Sequence, residues 1–174
     1  MILERHFIED HLKFAKPGSF VQGRRAMLTE AATNQVITQA NWQWDMQALE
    51  KQVIAAKKLK RSKILCKLLG YPQKNAKNIR SCNMAFWMKD LVAVNGFDSN
   101  FIGWGREDSE LAQRLINYGV LKRHLRYSAI ALHLYHSENS RALLQENDDR
   151  LKNAINRKNY TYCENGLDKI NLNH

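Results

Sequence analysis

Gly103-Trp104-Gly105-Arg106-Glu107-Asp108-Ser109-Glu110 sets two glycines around one tryptophan and then two adjacent carboxylates at what reads as a helix start. That combination suits a sugar site. The indole offers a flat apolar face on which a pyranose can stack. Glycines let the backbone approach a ligand where a Cβ would clash, and a carboxylate can serve as general base on a hydroxyl. A plainer reading stands beside it. Acidic residues at a helix start complement the helix dipole and cap free N–H groups, and a tryptophan beside glycine can be no more than a packed turn.

Outward from this stretch, Glu107 to Tyr118 reads as a helix with Leu111, Ala112, Leu115 and Ile116 on its apolar face, stopped by Gly119. Upstream, Asn83–Trp87 reads as a buried strand, and Lys89–Asn95 as a short helix closed by Gly96. Downstream come two short strands, around 121–127 and 129–135, then a polar helix to about 158 and a polar tail, Asn159 to His174, expected to fray. Toward the N-terminus, residues 5–15 suggest an amphipathic helix whose stripe is Phe7, Ile8, His11, Leu12 and Ala15, ended by Pro17-Gly18. A strand is expected over Ser19–Gly23, a helix from Thr29-Glu30 to about Thr38, and a third helix over 45–59 with Met46, Leu49, Val53 and Ala56 inward. The chain changes character after Gly70-Tyr71-Pro72.

The net charge of +10 favours anionic partners: nucleotide phosphates, nucleic acid or an anionic membrane face. The densest basic run, Lys57-Lys58-Leu59-Lys60-Arg61-Ser62-Lys63, reads either as a solvated helix end or as an attraction to an anionic bilayer. No nucleic-acid motif accompanies it and no aromatic residues are interleaved as stacking platforms, so nucleic acid is not expected as a partner. Cys66, Cys82 and Cys163 are odd in number and lack metal-site spacing, which argues against a disulfide framework or a zinc cluster and fits a cytoplasmic location, with peripheral contact at the inner face of the membrane as an extension. No apolar run approaches the roughly 20 residues of a membrane span.

Three blocks carry a family resemblance: Cys82-Asn83-Met84-Ala85-Phe86-Trp87; Asn95-Gly96-Phe97-Asp98 with the Gly103–Glu110 stretch; and His133-Leu134-Tyr135-His136-Ser137-Glu138-Asn139-Ser140-Arg141. In order and separation they resemble the galactosyltransferase C-terminal module of bacterial family 2 glycosyltransferases, chondroitin-type polymerases and animal β-1,4-galactosyltransferases. The resemblance implies an α/β fold, the C-terminal part of a GT-A (nucleotide-diphospho-sugar transferase) fold. Met1-Ile2-Leu3 stands where the family's Asp-x-Asp should just have ended, so the N-terminal nucleotide-binding half is expected to be missing and the isolated chain to turn over little. The expected organisation is a GT-A core remnant with a helical linker over 1–80, the galactosyltransferase module over 81–158, and the tail over 159–174.

The activity so implied is inverting hexosyl transfer from a UDP-sugar donor to a glycan acceptor, in cell-surface polysaccharide or lipopolysaccharide synthesis. By the same resemblance Asp108 is the base, Glu107 holds the acceptor, Trp104 stacks on a sugar, the Gly105 amide faces the donor, and Arg106 and Asn83 bind substrate. Arg106 departs from the animal enzymes, which have glycine there, and Ser81 stands where many bacterial relatives have glycine. Mn²⁺ or Mg²⁺ would neutralise the leaving diphosphate, with His136 as ligand and His133 as a second. Strand alternation puts positions i and i+3 on opposite faces, so both can serve only if the backbone bends between them. The alternative is a non-catalytic remnant or accessory module that binds glycan or a partner subunit.

Overall fold

The computed structural model describes residues 1–39, 45–137 and 140–169. Glu138 and Asn139 of the third block and the end of the tail lie outside them. The elements run β1 (Ile2–Leu3), α1 (Phe7–Phe14), β2 (Ser19–Gln22), β3 (Arg24–Met27), α2 (Glu30–Thr38), α3 (Met46–Lys51), α4 (Lys63–Leu69), β4 (Pro72–Gln73), β5 (Met84–Ala85), α5 (Met88–Ala93), α6 (Glu107–Asn117), β6 (Leu121–His124), β7 (Ile130–His133) and α7 (Leu144–Asn156). Short 3-10 turns lie at Ala56–Leu59, Ser81–Asn83 and Leu167–Lys169. This mixed content with two sheets is an α/β fold. The chain divides into two compact units that interleave along the sequence.

The first unit comprises Met1–Phe14, Gly23–Tyr71 and His124–Glu138. Its sheet has the order β1-β7-β3. Central β7 pairs antiparallel with β1 (Ile2↔Leu132) and parallel with β3 (Arg24↔Ile130 through Met27↔His133). Ile130, Ala131 and Leu132 are all buried, as a strand covered on both faces requires. The core is Ile2, Ala26, Leu28, Ala32, Val36, Leu49, Val53 and Leu132. Thr29 caps α2, its hydroxyl accepting the Ala32 N–H at 3.3 Å, and Asp45 caps α3 through the Gln47 and Ala48 amides.

Two sequence expectations change in this unit. The helix expected over 45–59 stops at Lys51. Val53 instead bridges to Leu28 as a strand does, and the Ile54 N–H donates to the Met27 carbonyl at 2.9 Å while Thr29 N–H donates to Gln52. These bonds to the chain leaving β3 replace the helical ladder. In α1 the helix is where the periodicity placed it, but Ile8 and Leu12 point to solvent and the buried residues are Asp10 and His11. The Asp10 carboxylate accepts the buried Ala129 N–H at 2.9 Å and pairs with Arg61 at 2.6 Å. Satisfying that backbone donor just ahead of β7 orients the helix against its own apolar stripe.

The second unit comprises Ala15–Gln22, Pro72–Arg123 and Asn139–His174. Its sheet runs β4-β6-β2-β5, and Phe20, Ile79, Val94, Leu111, Ala112, Leu115 and Val120 form its core. The Gly96 cap of α5 holds, at φ 64° with its N–H on the Leu91 carbonyl. Within α6, Arg114 is fully buried and grips Glu110 through two bonds of 2.6 and 2.8 Å. The same guanidinium donates to the Gly96 carbonyl at 2.7 Å and to the Val94 carbonyl. A buried bidentate pair thus clips the Asn95-Gly96 turn to the helix that carries the Gly-Trp-Gly motif.

The tail, expected to fray, is tied down through Lys169. Asn95 Nδ2 donates to the Cys163 carbonyl at 2.8 Å and to Asp168 at 2.6 Å, while Leu167 N–H returns to the Asn95 carbonyl. Cys163 is buried against the Val94, Asn95 and Gly96 carbonyls. A largely polar segment docks this way because backbone and amide groups bond to Asn95 while the Leu167 and Cys163 side chains pack against the Val94–Gly96 turn.

Candidate active site

The site begins with backbone shape. Gly103, Gly105 and Arg106 all have positive φ, at 77°, 99° and 81°. An added Cβ at Gly103 or Gly105 would meet only ordinary contacts, 3.8 Å from Leu143 and 3.5 Å from Leu144. The glycines are there for the left-handed turn, not for crowding. Asn147 of α7, itself buried, holds the turn by donating to the Ile102 carbonyl at 3.1 Å and the Trp104 carbonyl at 3.5 Å. Arg106 sits at the N-cap of α6 without a side-chain cap bond and is ion-paired with Asp148.

Glu107 and Asp108 open the first turn of α6. Asp108 does not cap the helix amides. Its Oδ2 accepts the Ser81 N–H at 3.2 Å and its Oδ1 accepts the Ser109 hydroxyl at 3.1 Å. The carboxylate is thus half-buried and held in one orientation, in the positive field of the helix N-terminus. Glu107 is half-buried and takes no side-chain partner among the described residues. Trp104 keeps 37% of its surface exposed, and the Arg141 guanidinium lies over its ring at 4.8 Å. Asn83 is buried in the 3-10 turn that precedes β5.

Within the same unit lies a cavity of about 690 Å³ that Arg106 and Ser109, on either side of Glu107 and Asp108 in the chain, help to line; Asp108, Glu107 and Trp104 are not among its lining residues. Lys74, Lys77, Arg80 and Arg106 line it with Ser109 and Gln113, and none of its described lining residues is acidic. The buried Lys122 supports this wall from beneath, its ammonium donating to the Lys77 carbonyl at 2.6 Å. Sequence reading passed over Lys74, Lys77 and Arg80. The signal was present, since eleven of the 27 Lys and Arg residues and none of the 17 acids fall between residues 51 and 89.

His133 and His136 belong to the first unit, Trp104, Glu107 and Asp108 to the second. The bend needed between the histidines is present: β7 ends at His133 and the chain beyond is irregular. The two rings lie 5.2 Å apart between centroids. Each Nδ1 faces a backbone carbonyl, that of Leu134 at 2.8 Å for His133 and that of Ser137 at 2.9 Å for His136. A carbonyl only accepts, so in the neutral ring Nδ1 carries the proton and Nε2 the lone pair. Burial holds His133 below the usual imidazole range, helped by Arg25 and His136 nearby. His133 is the more buried of the two. Among the described residues no cluster of three or more His, Cys, Asp or Glu side chains could hold a metal ion. Two imidazole nitrogens fit two positions around Mn²⁺ better than around Mg²⁺, which prefers oxygen.

Among the described residues no helix is long and apolar enough to cross a membrane. No curated protein and no solved structure matches the chain. Residues 61–137, somewhat under half of the chain, match the sequence family described as the N-terminal domain of galactosyltransferase. That span contains the first two blocks and the start of the third, and it supports a galactosyltransferase-like glycosyltransferase module over those residues.

Proposed function

We propose that this module transfers a hexosyl group from a UDP-sugar to a glycan acceptor by single displacement. The reading rests on one observation above the others: the Asp108 carboxylate is held at the start of α6, inside the matched span, and the next residue, Ser109, lines a cavity whose wall is cationic. Asp108 takes the proton of the acceptor hydroxyl. The hydroxyl oxygen bonds to the anomeric carbon while the bond from that carbon to the diphosphate oxygen breaks on the opposite face, which inverts the centre. UDP leaves with the bonding pair. Lys74, Lys77 and Arg80 supply positive charge for a diphosphate, and the Ser81 and Ser109 bonds keep Asp108 from turning away. Glu107, free of a side-chain partner among the described residues, hydrogen-bonds acceptor hydroxyls. Trp104 offers the ring face that Arg141 does not cover, with the Gly105 amide, Arg106 and Asn83 completing the substrate contacts.

His136 and His133 would contribute two nitrogen ligands to a Mn²⁺ ion, a cation whose chemistry is to neutralise oxyanion charge. The acceptor class is a cell-surface polysaccharide or lipopolysaccharide chain. The test is Asp108→Asn in a completed enzyme, in which a nucleotide-binding half is supplied to this module. Turnover of a UDP-sugar should fall by roughly 10²–10⁴-fold, with UDP affinity and melting temperature close to wild type. Unchanged turnover would leave Asp108 with only its structural bonds.

A further inference from the structure

Two helices of the first unit are built inside out. In α4 the buried residue is Cys66. Ile64 and Leu68 stand about 160° round the helix from it, 74% and 68% exposed. In α1, Asp10 and His11 are buried, and Ile8 and Leu12 are 61% and 72% exposed. A helix whose only apolar partner is its own core shows the reverse. The two helices are neighbours, joined by Arg61–Asp10 at 2.6 Å and Lys63–Glu9 at 3.3 Å. Lys63 adjoins Ile64 and Glu9 adjoins Ile8 in the chain, so the two apolar pairs lie on adjoining helices.

Charge selects the occupant. Lys57, Lys58 and Lys60 precede α4 in the chain and Lys63 and Lys67 lie on it, Lys63 paired with Glu9, within the run from 51 to 89 that holds no acid. A second copy of the chain, meeting this face symmetrically, would set the same lysines against one another. Nucleic acid would match the lysines but gives Ile64 and Leu68 no apolar layer to enter. A bilayer with anionic headgroups supplies both, phosphate for the ammonium groups and acyl chains for the isoleucines and leucines.

We propose that α1 and α4 dock this protein on an anionic membrane surface, with Ile8, Leu12, Ile64 and Leu68 entering the headgroup layer. The docking surface is independent of the transferase reading and is measured without it. The test is co-sedimentation with vesicles of phosphatidylcholine alone and of phosphatidylcholine mixed with phosphatidylglycerol. The full chain should sediment with the mixed vesicles only, and less as salt rises. Ile64→Glu with Leu68→Glu should weaken this by roughly tenfold or more, and Lys58→Gln with Lys67→Gln by about fivefold per charge. Val92→Glu, at another exposed apolar position, should change nothing. All these positions are exposed except Lys58, which is half-buried, and circular dichroism of each variant reports the fold. In a second measurement, Leu68→Trp should shift its emission to shorter wavelength on the mixed vesicles and keep it on phosphatidylcholine alone. Failure to bind mixed vesicles at low salt overturns the proposal. So does binding that survives Ile64→Glu with Leu68→Glu, or a concentration-dependent dimer abolished by the same pair without vesicle binding.

Discussion

Asp10 and Cys163 are single residues on which whole segments depend. Asp10 accepts the buried Ala129 N–H and pairs with Nη2 of Arg61 at once. Asp10→Ala strands both and should destabilise the protein by about 3 kcal/mol, read as a drop in the denaturant midpoint. Asp10→Asn, which can still accept from Ala129, should lose less. Cys163 acts through its neutral thiol. Burial pushes its pKa from 9.0 up to about 11, with Asp98 and Glu110 adding to the effect against Arg114. A raised folded-state pKa means that the folded chain keeps a proton the unfolded chain releases. The stability from this thiol is therefore complete below pH 9 and declines as pH rises toward about 11. Melting temperatures recorded across that window should fall for wild type and fall less steeply for Cys163→Ala. Tyr160, raised to about 12 mainly by burial, keeps the residual slope of the variant from reaching zero.

At the scale of elements, the helices α2, α5 and α6 were legible because their signals are local. Thr29 supplies a cap, Gly96 and Gly119 supply left-handed stops, and Leu111, Ala112 and Leu115 recur at helical spacing. The basic run from Lys57 read as a helix end because nothing local separates it from α3. In the structure Ser62 caps a new helix there, its hydroxyl accepting the Leu65 N–H at 3.2 Å. The docked tail is an element with no apolar periodicity at all. Its contact with Asn95 is so close that a Cβ on Gly166 would lie 1.8 Å from the Asn95 carbonyl oxygen. Gly166→Ala should release the segment, lower stability on the order of 2 kcal/mol, and speed trypsin cleavage at Lys158. Cleavage at the wild-type rate would mean that the tail is not held through Asn95.

Across the whole molecule, two cores stand apart in composition and in sheet. One gathers Leu28, Val36 and Leu132 on the β1-β7-β3 sheet, the other Phe20, Leu111 and Leu115 on the β4-β6-β2-β5 sheet. Leu132→Ala and Leu115→Ala should each lose about 2–5 kcal/mol. Hydrogen exchange should show where: amides of β1, β3 and β7 losing protection in the first variant, those of β2 and α6 in the second. Equal loss in both sheets from either substitution would show a single cooperative core. The net charge of +10 is likewise unevenly spread, since the acid-free run from 51 to 89 exceeds it alone. That run furnishes both the cationic wall near Asp108 and the lysines about α4.

The sequence by itself determined the α6 helix, the glycine turn before it, the order of the three blocks and the pairing of a tryptophan with two acids. Each of these follows from contacts within a few residues, so a linear reading reaches them. Tertiary structure alone decided the parallel pairing of β3 with β7 and the docking of the tail on Asn95. It also decided the outward turn of the apolar pairs on α1 and α4, and the gathering of Lys74, Lys77 and Arg80 in one cavity with Arg106 and Ser109. The reason is the reach of the bonds involved. Asp10 answers an amide at Ala129, Asn95 answers Asp168, and Ser81 answers Asp108. A buried donor or acceptor must be satisfied wherever its partner lies in the chain, and that demand overrode the local apolar pattern of α1.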